Sequence, residues 1–331
     1  MREVRVGSIQ PLEQPRLYAP HGEVTVELAR QKIGENLGLA CRLLAQAGQA
    51  GCDIVAYPED LQAIGHYLYY VDLSLFRSLV ETVPGPTSDR ISEVAKKHDM
   101  HVVYTQYERV GETIYNAAVL IGRKGEVIGK YHKVQMPTTE RWGVTHGDSF
   151  PVFPTDFGVV GIMVCYDIDF PEIARCLTLN GAELLFCPTM GISMPGQCEG
   201  NGLMRVRMRA IDNFVPLAVA TCRQDSVIVD KDGTVLAMAR PGREDVISAT
   251  MDLDAKVEDH SEWELITGLA DFKARIMQER LPEVYGLLTN AQPPALERYR
   301  ETPIRPAPKP RRALFEQLYR RWAGDRSAEQ V

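Results

Sequence analysis

A layered α/β fold is the class this chain predicts, on three observations. Short, wholly apolar runs of the kind that become buried strands alternate with longer segments whose apolar residues recur at helical spacing. Turn sequences such as Gly122-Arg-Lys-Gly125 and Asp230-Lys-Asp-Gly233 join neighbouring runs into antiparallel hairpins. The chain has 331 residues, 45% of them hydrophobic, which is enough for a large core, either one big α/β domain or two smaller ones.

Taken in order, Val4–Gln10 reads as a strand. Val26–Ala50 reads as a helix, with Leu28, Ile33, Leu37, Ala40 and Leu44 at helical spacing. Asp53–Tyr57 is a short buried strand, and Leu73–Glu81 and Ser88–Lys97 are helices. Val102–Tyr107, Tyr115–Ile121 and Val127–Tyr131 are strands, the last two closed by the Gly122 turn. A strand over Val159–Val164 leads through Cys165 to a helix over Glu172–Leu179, where Pro171 suits a first turn and Asp169 is a candidate N-cap. Glu183–Cys187 and Pro216–Thr221 are strands on either side of a helix over Leu203–Asn213, and Ser226–Val229, Thr234–Ala239 and Val246–Met251 form a meander. The first half loosely echoes the second without a residue-level repeat.

After about Leu253 the character changes. Ser261–Arg280 has helical patterning, Gln292–Arg312 is Pro-rich, and Ala313–Trp322 reads as a last short helix. This divides the chain into a main domain, 1–253, and a C-terminal extension, 254–331. The apolar residues of the extension need a cover, from its own domain or from a neighbouring subunit.

Thirty-seven Lys and Arg against 44 Asp and Glu leave a net charge of −7, which argues against nucleic acid as a partner. No stretch reaches the roughly 18 apolar residues of a membrane span, and the first residues lack the apolar core of a secretory leader. Seven cysteines at irregular spacing, none in a Cys-x-x-Cys pair, point to a reduced, cytoplasmic protein without structural zinc.

The chemistry concentrates where apolar strands end. Cys165 closes the run Val159-Val-Gly-Ile-Met-Val-Cys165, just ahead of a helix start. Glu59 follows the strand at Asp53 and a proline. Lys133 follows the strand at Val127, and Glu140 lies seven residues on. Ligand sites of α/β sheets collect at such strand ends. An ordinary thiol is mostly protonated at neutral pH, so it needs a base and a positive charge to act as a nucleophile. Glu59 can be the base. Lys133 can stabilise the thiolate and then the oxyanion formed on an attacked C=O or C≡N carbon, with the Tyr166 backbone N–H as a second donor. Each residue alone has a plain structural role: a small buried hydrophobe, a loop carboxylate, a surface lysine. Only together do they specify a catalytic centre. His132, next to Lys133 on a strand, is expected to point the other way. A metal site or a Cys–His dyad through His66, His132 or His146 is not expected.

The ordered blocks Tyr57-Pro58-Glu59, Tyr131-His132-Lys133 and Cys165-Tyr-Asp-x-x-Phe-Pro-Glu172, with the weaker Arg205-Val-Arg-Met-Arg-Ala-Ile-Asp-Asn213, resemble the nitrilase superfamily of carbon–nitrogen hydrolases over about Val4 to Leu253. The resemblance implies a four-layer α-β-β-α sandwich. It makes Cys165 the nucleophile, Glu59 the general base, Lys133 the cation beside the tetrahedral intermediate, and Glu140 a second glutamate that positions Lys133 and substrate. It further implies no metal or organic cofactor and a homodimer or higher homo-oligomer, with the helix after Cys165 at the interface.

Nitrile-hydrolysing members typically carry Cys-Trp-Glu, whereas this chain has Cys165-Tyr166-Asp167, closer to the amidase branches. N-carbamoyl-specific branches tend to place an Arg shortly after the Cys, where this chain has Ile168 and Asp169. The expected activity is therefore hydrolysis of a small carboxamide through a cysteine thioester, with nitrile or N-carbamoyl amide hydrolysis as alternatives and a catalytically silent binding protein as the non-enzymatic one. Candidate substrate contacts are Tyr166, Trp142, His66, Tyr69 and Met190, with Asp169 included if its carboxylate faces the pocket instead of capping a helix.

Overall fold

The computed structural model describes residues 1–12, 14, 24–70, 72–137, 140–192, 201–222, 226–258, 262–268 and 270–299. The chain divides into two compact units, Met1–Asp254 and Ala255–Val331.

The first unit is built on two six-stranded sheets. One sheet contains β1 (Glu3–Gln10), β2 (Ile54–Ala56), β3 (His101–Val110), β4 (Thr113–Ile121) and β5 (Val127–His132), with β12 (Asp245–Asp252) outside β1. The other runs β6 (Val152–Pro154), β7 (Val159–Ile162), β8 (Leu184–Pro188), β9 (Leu217–Ala220), β10 (Val227–Val229) and β11 (Val235–Met238). Both have the same internal plan: an antiparallel edge strand, three parallel strands, then two antiparallel strands. The loose echo between the halves is thus a repeat of topology. It reaches the residue level at the tip of the middle parallel strand, where Tyr57-Pro58-Glu59 after β2 matches Cys187-Pro188-Thr189 at the end of β8.

Alternating side chains explain the layering. Val4, Val6, Ile54, Ala56 and Val103 of one sheet pack against Val160, Ile162, Leu184, Phe186 and Ala218 of the other, all fully buried. The opposite faces are also apolar, as expected for parallel strands covered on both sides. On one, Val55, Tyr57, Val102 and Val119 meet α1 (Val26–Gln49) and α4 (Pro86–His98) through Leu37, Ala40, Leu44, Ile91 and Ala95. On the other, Leu185, Cys187, Leu217 and Val219 meet α5 (Pro171–Leu179) and α6 (Asn201–Asn213) through Ile173, Ala174, Val206 and Ala210. The result is a four-layer α-β-β-α sandwich. Each buried Val, Leu or Ile in these layers contributes about 1.5–3 kcal/mol over its exposed state.

Helix starts follow local chemistry. Thr25 caps α1 by accepting from the Leu28 N–H at 3.2 Å. Leu28 itself is exposed, so the stripe that faces the sheet runs through Ala29, Ile33, Leu37 and Leu44. Pro86 and Pro171 open α4 and α5 at positions where a missing N–H costs nothing.

Four features depart from the sequence expectations. The segment around His66, to which the sequence assigns no element, is a short helix, α2 (Gly65–Tyr70), followed by α3 (Leu73–Leu79). The edge strand β6 is too short to stand out in the sequence. Asp169 does not cap α5: Phe170 holds that position, with no side-chain cap. In the second unit, the continuous helical pattern over Ser261–Arg280 is broken into α7 (Glu262–Thr267) and α8 (Phe272–Gln278). Gly268 takes a left-handed φ of 68° between them, and Asp271 starts α8 by accepting from the Lys273 N–H. The expected helix over Ala313–Trp322 lies outside the described residues, as does most of the Pro-rich run before it.

Candidate active site

The strand ends of the two sheets bring Glu59, Lys133, Glu140 and Cys165 together. The backbone after β2 is held firmly. The Asp60 N–H donates to the Thr105 hydroxyl at 2.7 Å, and the Asp60 carboxylate accepts from the N–H groups of Ile64 and Gly65 at 3.0 and 2.8 Å. This turn presents Glu59 as a buried carboxylate.

Lys133 lies one residue past β5 and continues its pairing, with its N–H donating to the Asn116 carbonyl at 2.9 Å. Its ammonium, 2% exposed, donates to Glu59 Oε1 at 2.8 Å and to Glu140 Oε2 at 2.9 Å. Glu140 opens a single 3₁₀ turn, Glu140–Trp142, and is fully enclosed. His132 points away, as strand alternation requires: its ring bonds Glu108 at 2.8 Å and stacks on Tyr115.

Asn116 completes the cluster, and sequence reasoning missed it. Its amide donates to Glu59 Oε1 at 2.9 Å and to Glu140 Oε1 at 2.7 Å. Two donor groups, an ammonium and an amide, therefore bridge the same two carboxylates. The available signal was a polar residue inside the otherwise apolar run of Thr113–Ile121.

Cys165 begins a 3₁₀ turn, Cys165–Asp169, and has a left-handed φ of 49°. For a residue with a side chain that conformation costs of order 1–3 kcal/mol and persists only where surroundings enforce it. Here they do. The Val164 N–H donates to Asp167 Oδ2 at 2.9 Å and the Asp167 N–H returns to the Val164 carbonyl at 3.0 Å. From α6, Arg209 donates to the Ile168 carbonyl at 3.0 Å.

The thiol hydrogen-bonds Glu59, with the Thr189 hydroxyl as a second partner. Burial, and then the neighbouring Glu59 charge, push the thiol up to about 12. Burial raises the Glu59 carboxyl too, but Lys133, the thiol and Asn116 outweigh it and hold that carboxyl below the ordinary range. The resting arrangement is thus a protonated thiol donating to an ionised carboxylate. Such a pair can deliver a nucleophile at the moment of attack without storing a free thiolate.

The sequence-predicted substrate contacts divide. Tyr166 is half-buried beside Cys165, its ring edge-on to Phe170 with centroids 5.3 Å apart. Trp142 and Met190 are half-buried, next to Glu140 and Thr189 respectively. His66 is enclosed in α2, 3% exposed. The Tyr69 side chain lies outside the described residues. Asp169 is corrected as an N-cap, since it caps no helix; its Oδ1 is ion-paired with Arg205 at 2.9 Å.

A thiol, a buried carboxylate and an ammonium grouped at the strand ends of an α-β-β-α sandwich are the parts a cysteine-dependent hydrolase requires. A family model for carbon–nitrogen hydrolases matches residues 5–258. The chain belongs to the carbon–nitrogen hydrolase family. The omega-amidase of Xenopus tropicalis is 32% identical over 244 residues, which span 68% of this chain and 85% of that protein. A nitrilase of Pyrococcus abyssi is 30% identical over 229 residues, 66% of this chain and 84% of its own. Among solved structures, an amidase from Nesterenkonia sp. shares the fold with a TM-score of 0.63 at 20% identity, over 86% of this chain and 95% of that one. The expected family, fold and hydrolase class therefore hold.

Proposed function

We propose that the chain hydrolyses a small carboxamide through a thioester on Cys165. The observation that carries this is the buried Lys133 ammonium bonded to Glu59, with Glu59 in turn bonded to the Cys165 thiol. As sulfur attacks the carbonyl carbon, its proton passes to Glu59. The oxyanion forms against the Lys133 ammonium and the Tyr166 backbone N–H. Glu59 then gives the proton to the departing nitrogen, the C–N bond breaks, and ammonia or an amine leaves a thioester. Glu59 next takes a proton from water, hydroxide character attacks the thioester carbon, and the C–S bond breaks with return of that proton to sulfur. Glu140 and Asn116 hold Lys133 and Glu59 in register throughout. No metal or organic cofactor enters these steps.

One further point supports an amide over a nitrile. Relatives around 30% identical include several named omega-amidases. Homo-oligomerisation belongs to the same proposal: Leu179, Met204 and Met208 leave apolar surface exposed on α5 and α6, a face suited to a second copy. So does the reduced, cytoplasmic setting inferred from cysteine usage.

The test is ammonia release from matched amide and nitrile panels by wild type, Cys165→Ala and Cys165→Ser, with mass spectrometry of the intact protein. The expected result is amide turnover, an acyl adduct on Cys165, and loss of both in the variants. Turnover by Cys165→Ala at the wild-type rate overturns the proposal, and preferred turnover of nitriles moves it to the nitrilase branch.

A further inference from the structure

Asp167 has no part in the chemistry above, yet it is one of the most enclosed carboxylates in the chain, 0% exposed. Its own turn explains one bond, the Val164 N–H donating to Oδ2 at 2.9 Å. The other two come from far along the sequence. The Tyr131 hydroxyl donates to Oδ2 at 2.7 Å, and the Gln135 N–H donates to Oδ1 at 2.8 Å. Tyr131 and Gln135 stand two residues before and two residues after Lys133. Val164 immediately precedes Cys165. One carboxylate is thus bonded on both sides of the lysine and to the residue that leads into the nucleophile. Tyr131 is itself wholly buried between the sheets, so its hydroxyl reaches Asp167 from a fixed ring.

We propose that Asp167 is a positioning residue that sets the spacing between Lys133 and Cys165, by tying the end of β5 and the nucleophile turn to one carboxylate. This builds on the thioester mechanism proposed above. The ionised carboxylate accepts all three bonds, whereas a protonated one keeps Tyr131 on the protonated oxygen only by reversing that bond, since the Val164 and Gln135 N–H groups can only donate.

The arrangement gives the reaction an acid limb of distinct origin. Burial pushes the Asp167 carboxyl up to about 6, against the lowering effect of its three donors and Lys133. The Glu59 carboxyl is held below the ordinary carboxylate range. As pH falls, Asp167 takes its proton before Glu59 does, and the tie is lost while the base is still ionised. The titratable groups facing Asp167 are Tyr131 and Lys133 from the β5 segment and Cys187 from β8. From α6, Arg209 and Arg205 engage the turn at the Ile168 carbonyl and at the Asp169 carboxylate.

The experiment compares wild type with Asp167→Asn, Tyr131→Phe and Cys165→Ala. The readouts are kcat and KM for ammonia release across pH, using the amide best turned over in the panel, and the alkylation rate of Cys165 by iodoacetamide, followed by intact mass. Asp167→Asn is expected to lower kcat at least about 30-fold with KM within about threefold, the pattern of a disturbed reacting geometry. It is also expected to remove the limb near pH 6 and to slow Cys165 alkylation about tenfold, because the Lys133 charge no longer sits correctly for the thiolate. Tyr131→Phe keeps the carboxylate and removes one donor, so its acid limb moves to higher pH. An Asp167→Asn enzyme within about threefold of wild-type kcat overturns the proposal, as does a Tyr131→Phe limb that coincides with that of wild type. Should Asp167→Asn not fold, Tyr131→Phe decides alone. Should no amide or nitrile be turned over, or Cys165→Ala remain active, the mechanism fails instead, and the alkylation rates still report on Asp167.

Discussion

Replacing Asn116 by Ala tests whether the two glutamates work as a bridged pair. The amide of Asn116 makes two hydrogen bonds, of 2.9 Å to Glu59 and 2.7 Å to Glu140, both to buried carboxylates. Hydrogen bonds to charged acceptors contribute about 1.5–3 kcal/mol each, so outright loss of both would cost about 3–6 kcal/mol. The vacated amide leaves room for a water that restores part of this, which brings the expected cost to about 2–3 kcal/mol. If that cost falls on the ionised Glu59–Lys133 arrangement that the transition state needs, kcat/KM drops about 30- to 150-fold. Glu59 also loses one of the groups holding its carboxyl down, so that carboxyl rises toward the ordinary range, still below the limb set by Asp167. The assay is ammonia release from the preferred amide across pH, with a thermal melt to confirm the fold. Asn116→Asp separates charge from size: it places a third carboxylate against two and should lose more activity than Ala. An Asn116→Ala enzyme within about threefold of wild type would refute the bridging role.

Three other outcomes are expected. Lys133→Met removes the cation between two enclosed carboxylates and should abolish turnover and destabilise the fold by about 3–5 kcal/mol. In wild type the lowered Glu59 carboxyl adds stability above its unfolded value; without Lys133, burial is opposed only by the thiol and Asn116 and the carboxyl rises, so by thermal melts the deficit should be larger at about pH 8 than at about pH 5. Glu108→Gln removes the carboxylate charge and leaves one acceptor oxygen for both Lys130 and His132, and should cost about 1–3 kcal/mol. Burial raises the Glu108 carboxyl, but His132 and Lys130 outweigh it and hold it low, so its contribution is present above the ordinary carboxylate value and fades as pH drops through the folded one; the melting difference from Gln should shrink in acid, and a difference that grows there would contradict it. Thr189→Val removes a hydrogen bond that lowers the Cys165 thiol, and iodoacetamide labelling at alkaline pH should slow; unchanged labelling would remove Thr189 from the site.

The strands and long helices were legible because their burial is repetitive. A run such as Val159–Ile162 is apolar on both faces because parallel strands are covered on both sides, and α1 carries a stripe at helical spacing. The errors fall where one or two residues decide. Asp169 looked like an N-cap because it stands two residues ahead of Pro171, but it pairs with Arg205 of α6, a partner no local rule reveals. The helix α2 is only six residues long, and its ring-rich sequence has no apolar period to read.

Within the site, the readable residues are those whose chemistry is unusual for their local setting: a carboxylate and a lysine at the ends of apolar strands, and a thiol ahead of a helix. The supporting residues were hidden for the opposite reason. Asn116, Asp167 and Thr189 each pass locally for a strand polar residue, a turn acid and a loop hydroxyl. What distinguishes them is a partner 30 or more residues away in two cases, Asp167 with Tyr131 and Asn116 with Glu59, and the thiol itself in the third. The repeated sheet plan offers a way past this. Glu59 and Thr189 occupy matching positions after a Pro at the tip of the middle parallel strand of each sheet, and both meet the Cys165 sulfur. A duplicated scaffold presents two equivalent strand tips toward one point, so the counterpart of a recognised catalytic residue is where a further contact is to be sought. Glu59 at one tip takes the proton and Thr189 at the other meets the same sulfur, so the nucleophile stands between side chains drawn from the two halves of the repeat.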